Sequence, residues 1–160
     1  YNCLIELIRS GIDAELIVCG CTLPKKYIHP KIKNPGFLDK NDVQQLAQLN
    51  RHFSESDIFI LPTKQEAFGI VFCEAALNGL PSFGPDTGGV SSALVNGTTG
   101  ILLDKNASGE DYAREIKKII SSEETYQKLS HAAKKYALEN FTWKKWAVSL
   151  IEEFEKRRIK

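Results

Sequence analysis

Two carboxylates, Glu66 and Glu74, stand eight residues apart inside the segment DIFILPTKQEAFGIVFCEAALNGLPSFGPDTGG, which runs from Asp57 to Gly89. An ionised carboxylate only accepts hydrogen bonds, so a pair of them suits the hydroxyls of a sugar or of a ribose diol. The run Asp57–Leu61 predicts a buried strand, Pro62–Phe68 a short polar loop, and Gly69–Asn78 a helix opened by glycine. Glu66 then falls in the loop, and Glu74 about a turn and a half into the helix. The first amides of a helix have no intrahelical partner and point outward, so a strand–loop–helix junction is a ready anion site. Phosphate between two sets of hydroxyls describes a nucleotide sugar.

The helix sharpens the case. Ile70, Val71, Phe72, Cys73, Ala75, Ala76 and Leu77 make it apolar nearly all round, the pattern of a helix inside a core, and Glu74 is its only charge. A buried carboxylate is costly unless something meets it. That partner is either a distant Lys or Arg or a ligand hydroxyl, and the residues alone leave both open. Glu66 by itself reads as a solvated loop glutamate. The loop Asp86-Thr87-Gly88-Gly89 reads as a glycine turn, yet it follows a short strand. It therefore lies at the same sheet edge as Glu66, where open parallel sheets bind ligands. Rival chemistries find little support. His29, His52 and His131 have no partners at metal or nucleophile spacing. No G-x-G-x-x-G follows a strand, and neither G-x-S-x-G nor a P-loop is present.

The elements that must position these residues alternate as in an α/β domain. Asn2–Ser10 carries Leu4, Ile5, Leu7 and Ile8 at helical spacing and stops at Gly11. Ala14–Cys19 predicts a strand, Thr22–Lys33 a connection, and Asn34–Leu38 an extended piece. Asn41 can cap a helix to about Phe53 with Val43, Leu46 and Leu49 on one face. After the glutamate helix, which Gly79 ends, come a strand at Pro81–Phe83, a short helix at Gly89–Leu94 and a strand at Ile101–Leu103. These apolar runs are continuous, as expected of parallel strands buried on both faces. Ser108-Gly-Glu-Asp111 and Ser121-Ser-Glu-Glu124 resemble capping boxes. Thr142 can cap a last helix in which Trp143, Trp146, Leu150 and Phe154 form one stripe, a pattern typical of packing. Lys156–Arg158 and Lys160 read as a solvated tail.

Composition sets the frame. A chain of 160 residues with 42% hydrophobic and 26% charged residues fits one soluble domain with a sizeable core. A formal charge of +1 gives no reason to expect nucleic acid. No apolar run approaches a membrane span, and no signal peptide is recognisable. Cys3, Cys19, Cys21 and Cys73 show no metal-ligand spacing and read as buried, reduced thiols, which points to the cytoplasm.

Glu66-Ala-Phe-Gly-Ile-Val-Phe-Cys-Glu74 resembles the E-x7-E motif of retaining, nucleotide-sugar-dependent glycosyltransferases of family four (group 1). Asn78-Gly-Leu-Pro81, Asp86-Thr-Gly-Gly89, Asn96-Gly-Thr-Thr-Gly100 and Asn140-Phe-Thr-Trp143 follow in that family's order and are similar to its motifs. The resemblance covers roughly residues 13 to 157. It implies the C-terminal, donor-binding half of a GT-B fold: a Rossmann-like three-layer domain with a parallel sheet and a helical C-terminal tail. It also implies roles. Glu66 would hold hydroxyls of the transferred sugar, as binder and positioner and the candidate catalytic residue. Backbone amides of Phe68, Gly69, Ile70 and Val71 would meet the sugar and diphosphate, and Glu74 the ribose 2′- and 3′-hydroxyls. Gly36, Phe37 and Leu38 would lie along the base, and Thr87, Gly88 and Gly89 would line the opposite wall. The donor would be a UDP-, GDP- or ADP-sugar. No metal is expected, because basic groups and helix dipoles would stabilise the leaving diphosphate.

The resemblance also implies what the chain lacks. It has no methionine and opens inside a helix, so residues 1–160 are expected to form a single lobe of a longer protein. The first strand with its basic diphosphate loop, and the N-terminal acceptor lobe, would lie outside it. The helix over residues 142–160 would pack on that lobe, leaving some of Trp143, Trp146 and Phe154 exposed. Membrane association, if any, would come through the same lobe, and the fragment alone would be inactive. Two positions depart from the family: Ser91-Ser92 stands where many members carry Pro-Glu, and Lys64-Gln65 where small residues are favoured. The leading reading is the donor lobe of an enzyme of polysaccharide or glycoconjugate biosynthesis. A non-catalytic nucleotide-sugar module, a related epimerase or phosphorylase, and a protein-interaction domain on the same fold are the alternatives.

Overall fold

Short apolar runs alternate with amphipathic helices in this sequence. The computed structural model, which describes residues 1–158, alternates them in space as well. In chain order the elements are α1 (Asn2–Arg9), β1 (Leu16–Cys19), a 3-10 turn (Lys25–Tyr27), β2 (Ile32–Gly36), α2 (Val43–Glu55) and β3 (Phe59–Ile60). Then come α3 (Ile70–Leu77), β4 (Ser82–Pro85), α4 (Val90–Ala93), β5 (Gly100–Leu103), α5 (Gly109–Ile120), α6 (Glu123–Asn140) and α7 (Trp143–Arg158). All pairings between these strands are parallel: β1 with β2 in one sheet, and β3–β4–β5 in another with β4 in the middle.

The core gathers around β4, whose four residues are all buried. One face meets α1 and α5 through Phe83, Leu7, Leu103, Tyr112, Ala113 and Ile116. The other meets α3 and α4 through Phe72, Cys73, Val90, Ala93 and Leu94. Ala76, Ala133 and Ala137 let α6 approach α3 closely.

Burial elsewhere departs from the sequence reading. β1 and β3 are only half-buried, not covered on both faces, because neither continues the other's ladder and each keeps an unpaired edge. Cys19 and Cys21, at the end of β1, are exposed rather than buried for the same reason. The expected stripe of α2 is open too: Val43 is 81% exposed, and the helix has no fully buried residue. Its C-terminal end meets β3, where the Phe53 ring lies 6.2 Å from that of Phe59.

Caps shift by one residue in two places. Asp42, not Asn41, caps α2, accepting from Gln44 and Gln45 at 2.9 Å, while the Asn41 amide donates to Asp39. Ser122, not Ser121, caps α6 through the Thr125 amide at 3.3 Å. The Ser108–Asp111 capping box forms as read, and Thr142 accepts from the Lys145 amide at 3.2 Å. On α7, Trp143, Trp146 and Phe154 are 84%, 59% and 62% exposed, as expected of an uncovered stripe. Of the basic tail, Lys156 and Arg157 are exposed, and Lys160 lies outside the described residues. No helix among the described residues is long and apolar enough to cross a membrane.

Two outcomes follow from this packing. Burial pushes the Cys3 and Cys73 thiols up to about 11. At pH ~8 a thiol reagent should therefore label Cys19 and Cys21 in the native chain and reach Cys3 and Cys73 only on unfolding; fast labelling of all four would contradict the fold. Asp111 is held at about 2, against an ordinary 3.8, first by the Ser108 amide at 2.8 Å and then by Arg114 at 2.6 Å. A depressed carboxylate stabilises the fold above its unfolded value, and the contribution fades as pH falls from 3.8 toward about 2. Acid unfolding followed by circular dichroism should show that loss in the wild type and a flatter response in Asp111→Asn. Equal acid slopes would remove Asp111 from the acid response.

Candidate functional site

The site begins where β3 ends. The chain runs from Leu61 through the polar loop to Gly69, whose φ of 81° lies in the left-handed region. A Cβ at Gly69 would come within 2.7 Å of the Phe72 ring, so this turn into α3 requires glycine. No side chain caps α3, whereas serine or aspartate side chains cap α2, α5 and α6. The leading amides of α3, at Ile70 and Val71, are thus left to an external acceptor, with the positive end of the helix dipole behind them.

Glu66 is half-buried beside this turn. Its carboxylate accepts from the Ala67 amide at 3.0 Å, which folds the side chain back over its own loop. The loop in turn rests on the glycine pair after β4. The Gly89 amide donates to the Glu66 carbonyl at 3.1 Å, and the Thr87 hydroxyl to the Lys64 carbonyl at 3.4 Å. A Cβ on Gly88 would lie 2.1 Å from the Glu66 carbonyl oxygen, and one on Gly89 2.0 Å from that of Ala67. Thr87, Gly88 and Gly89 therefore touch the Glu66 loop directly and fix its height above the sheet.

Glu74 sits on the open side of α3. The all-round apolar helix proves buried only along Phe72, Cys73, Ala75 and Ala76, while Ile70 is 68% exposed and the Glu74 side chain 32%. The Glu74 carboxylate is met by the Lys40 ammonium, a partner that no local spacing announces because it lies 34 residues away. The only sequence signal for Lys40 is its place just beyond Gly36, Phe37 and Leu38. Gly36 closes β2, its carbonyl accepting from the Gly20 amide at 2.8 Å, and Phe37 and Leu38 follow it, with Phe37 76% exposed. The Lys40–Glu74 pair ties the connection after this strand end to α3, so the residues read as base wall and ribose acceptor come to one side. A separate depression of about 500 Å³ beside β5 is lined by Asn96, Leu103, Asp104, Asp111 and Arg114. There Asp111 already pairs with Arg114.

The sequence pattern of the family described as Glycosyl transferases group 1 matches residues 2–136. The chain is 32% identical over 157 residues to D-inositol 3-phosphate glycosyltransferase of Rhodococcus erythropolis, covering 98% of this chain and 30% of that protein. It therefore spans about a third of that relative's length. Among solved structures it is similar to sucrose-phosphate synthase from Thermosynechococcus elongatus, with a TM-score of 0.74 at 17% identity over 99% of this chain and 42% of that one. The Anabaena protein Alr3699/HepE, solved with UDP and glucose, superposes with a TM-score of 0.74 at 19% identity over 97% of this chain and 44% of that one. The α/β fold is thus shared with GT-B glycosyltransferases.

The close approach at Gly89 is directly testable. Gly89→Ala should lower the unfolding free energy by about 1–3 kcal/mol, since the added methyl must push the two loops apart. Chemical denaturation would measure it, and a variant as stable as the wild type would show that the loops are not in obligatory contact.

Proposed function

The chain belongs to the Glycosyl transferases group 1 family, and on that premise we propose that it is the donor-binding lobe of a retaining hexosyltransferase using a nucleotide diphosphate sugar. The observation that carries the reading is the uncapped N-terminus of α3 with Glu66 before it and Glu74 within it. In this reading the amides from Phe68 to Val71 receive the sugar and diphosphate, and Glu66 positions the transferred sugar's hydroxyls. Glu74 accepts from the ribose diol, Gly36–Leu38 flank the base, and Thr87–Gly89 complete the wall beside Glu66. Charge developing on the leaving diphosphate is met by the helix dipole and oriented amides, without a metal. The chain acts as one lobe. An acceptor-binding lobe elsewhere in the natural protein covers the exposed Trp143, Trp146 and Phe154, and this lobe alone does not turn over. The UDP and glucose held by the Anabaena structure, and the glycosyltransferase named among the relatives, agree with this donor class. Four free thiols agree with a cytoplasmic setting.

The test is calorimetric titration of the natural protein with UDP, GDP, ADP and their sugar conjugates, beside Glu74→Ala. One nucleotide series should bind, and the variant should lose about 1–3 kcal/mol, the scale of a hydrogen bond to a charged group. A folded wild type that binds none of them sinks the donor-lobe reading.

A further inference from the structure

Lys40 stands on a connection braced on both sides by local hydrogen bonds. The Asp39 carboxylate accepts from the Asn41 amide at 2.8 Å and its side chain at 3.0 Å, and the Asp39 amide donates to Gln45 at 2.9 Å. Asp42 then caps α2. From this fixed base the lysine stem reaches across to α3, and its ammonium donates to one oxygen of Glu74. The pair is open to water, with Lys40 52% and Glu74 32% exposed. An ion pair this exposed is worth little and is readily replaced by another donor. It is nonetheless the one salt bridge onto α3 among the described residues, and it sits on the carboxylate that the proposed function gives to the ribose.

We propose that Lys40 is an internal competitor for the ribose diol: it occupies and orients Glu74 and yields that carboxylate when a nucleotide enters. The inference rests on the donor-lobe reading. It makes Lys40 a positioning residue that sets donor affinity, because each ribose must displace an ammonium before Glu74 can accept its hydroxyls. A ligand without the diol leaves the pair in place.

The experiment compares the natural protein with Lys40→Met, which keeps the apolar stem and removes the charge. Each is titrated with UDP, GDP and ADP and with their 2′,3′-dideoxy counterparts. Taking the ratio of ribo to dideoxy affinity cancels any general effect of the lysine's charge on the diphosphate. That ratio should rise roughly two- to fivefold in Lys40→Met, the affinity equivalent of an exposed ion pair. The same substitution made in Glu74→Gln should leave it unchanged. A ratio that stays constant or falls in Lys40→Met overturns the competitor role, and a drop in thermal stability with no change in ratio would make the pair merely structural. Failure of wild type and variant alike to bind any nucleotide overturns the donor-lobe reading beneath it.

Discussion

The contact on which the site depends is the Phe72 ring. It is 1% exposed and lies one turn into α3, two residues before Glu74. Its neighbours come from every element that matters here: Phe59 of β3 edge-on at 5.5 Å, Gly84 of β4, Gly69 at the helix entrance, and the α4 cluster of Val90, Ala93 and Leu94. A Cβ on Gly84 would lie 2.6 Å from this ring, so the helix can sit this low only over a bare stretch of strand. The phenyl group thereby fixes both the depth of α3 and the path of the turn that feeds it. Interiors this densely packed do not deform continuously, so the two glutamates inherit a fixed separation from one apolar residue between them.

Around that anchor the helix is asymmetric along its length. Its C-terminal half is clamped by α6 through alanines at 76, 133 and 137, where the absence of long side chains lets the two helices approach. Its first residue is open, with Ile70 in solvent, and no side chain caps its leading amides. Uncapped amides are a modest liability at a helix end, normally relieved by a serine or aspartate as in α2 and α5. Leaving them free beside Glu66 costs some stability and keeps the positive end of the dipole available to an anion. The same balance governs Glu74. A fully buried carboxylate there would need permanent pairing, whereas a partly exposed one tolerates an exchangeable partner.

Much of this was legible in the sequence, and the rest was hidden for physical reasons. The strand–loop–helix run around Glu66 and Glu74 is local, and its glycine entry, helix length and stop at Gly79 all follow from nearby residues. So does the Ser108 capping box. Burial depends on distant partners and is less legible: Cys19, Val43 and the apolar residues of β1 have the composition of interior positions, yet Cys19 and Val43 are exposed and β1, at the edge of a two-stranded sheet, is only half-buried. Lys40 is the clearest case. Its sequence context is an ordinary polar turn, and only the fold, which brings the connection after β2 within reach of α3, makes it the partner of Glu74. Similarly, Gly88 and Gly89 read as a turn, and their obligatory contact with the Glu66–Ala67 backbone shows only in three dimensions.

These contacts divide the work between two loops and one connection. The Glu66 loop is fixed from below by Phe72 and from the side by Gly88 and Gly89, so neither its height nor its slope is free. The Lys40 connection is braced by Asp39 and Asp42, which leaves the long lysine side chain as its most adjustable part. In the proposed donor site, backbones braced on both walls would leave adjustment on ligand entry mainly to side chains, Lys40 and the Glu66 carboxylate first among them. Under the proposed function, such a site would discriminate through which hydrogen bonds a ligand can take over, since a braced backbone does little to accommodate a ligand that lacks them.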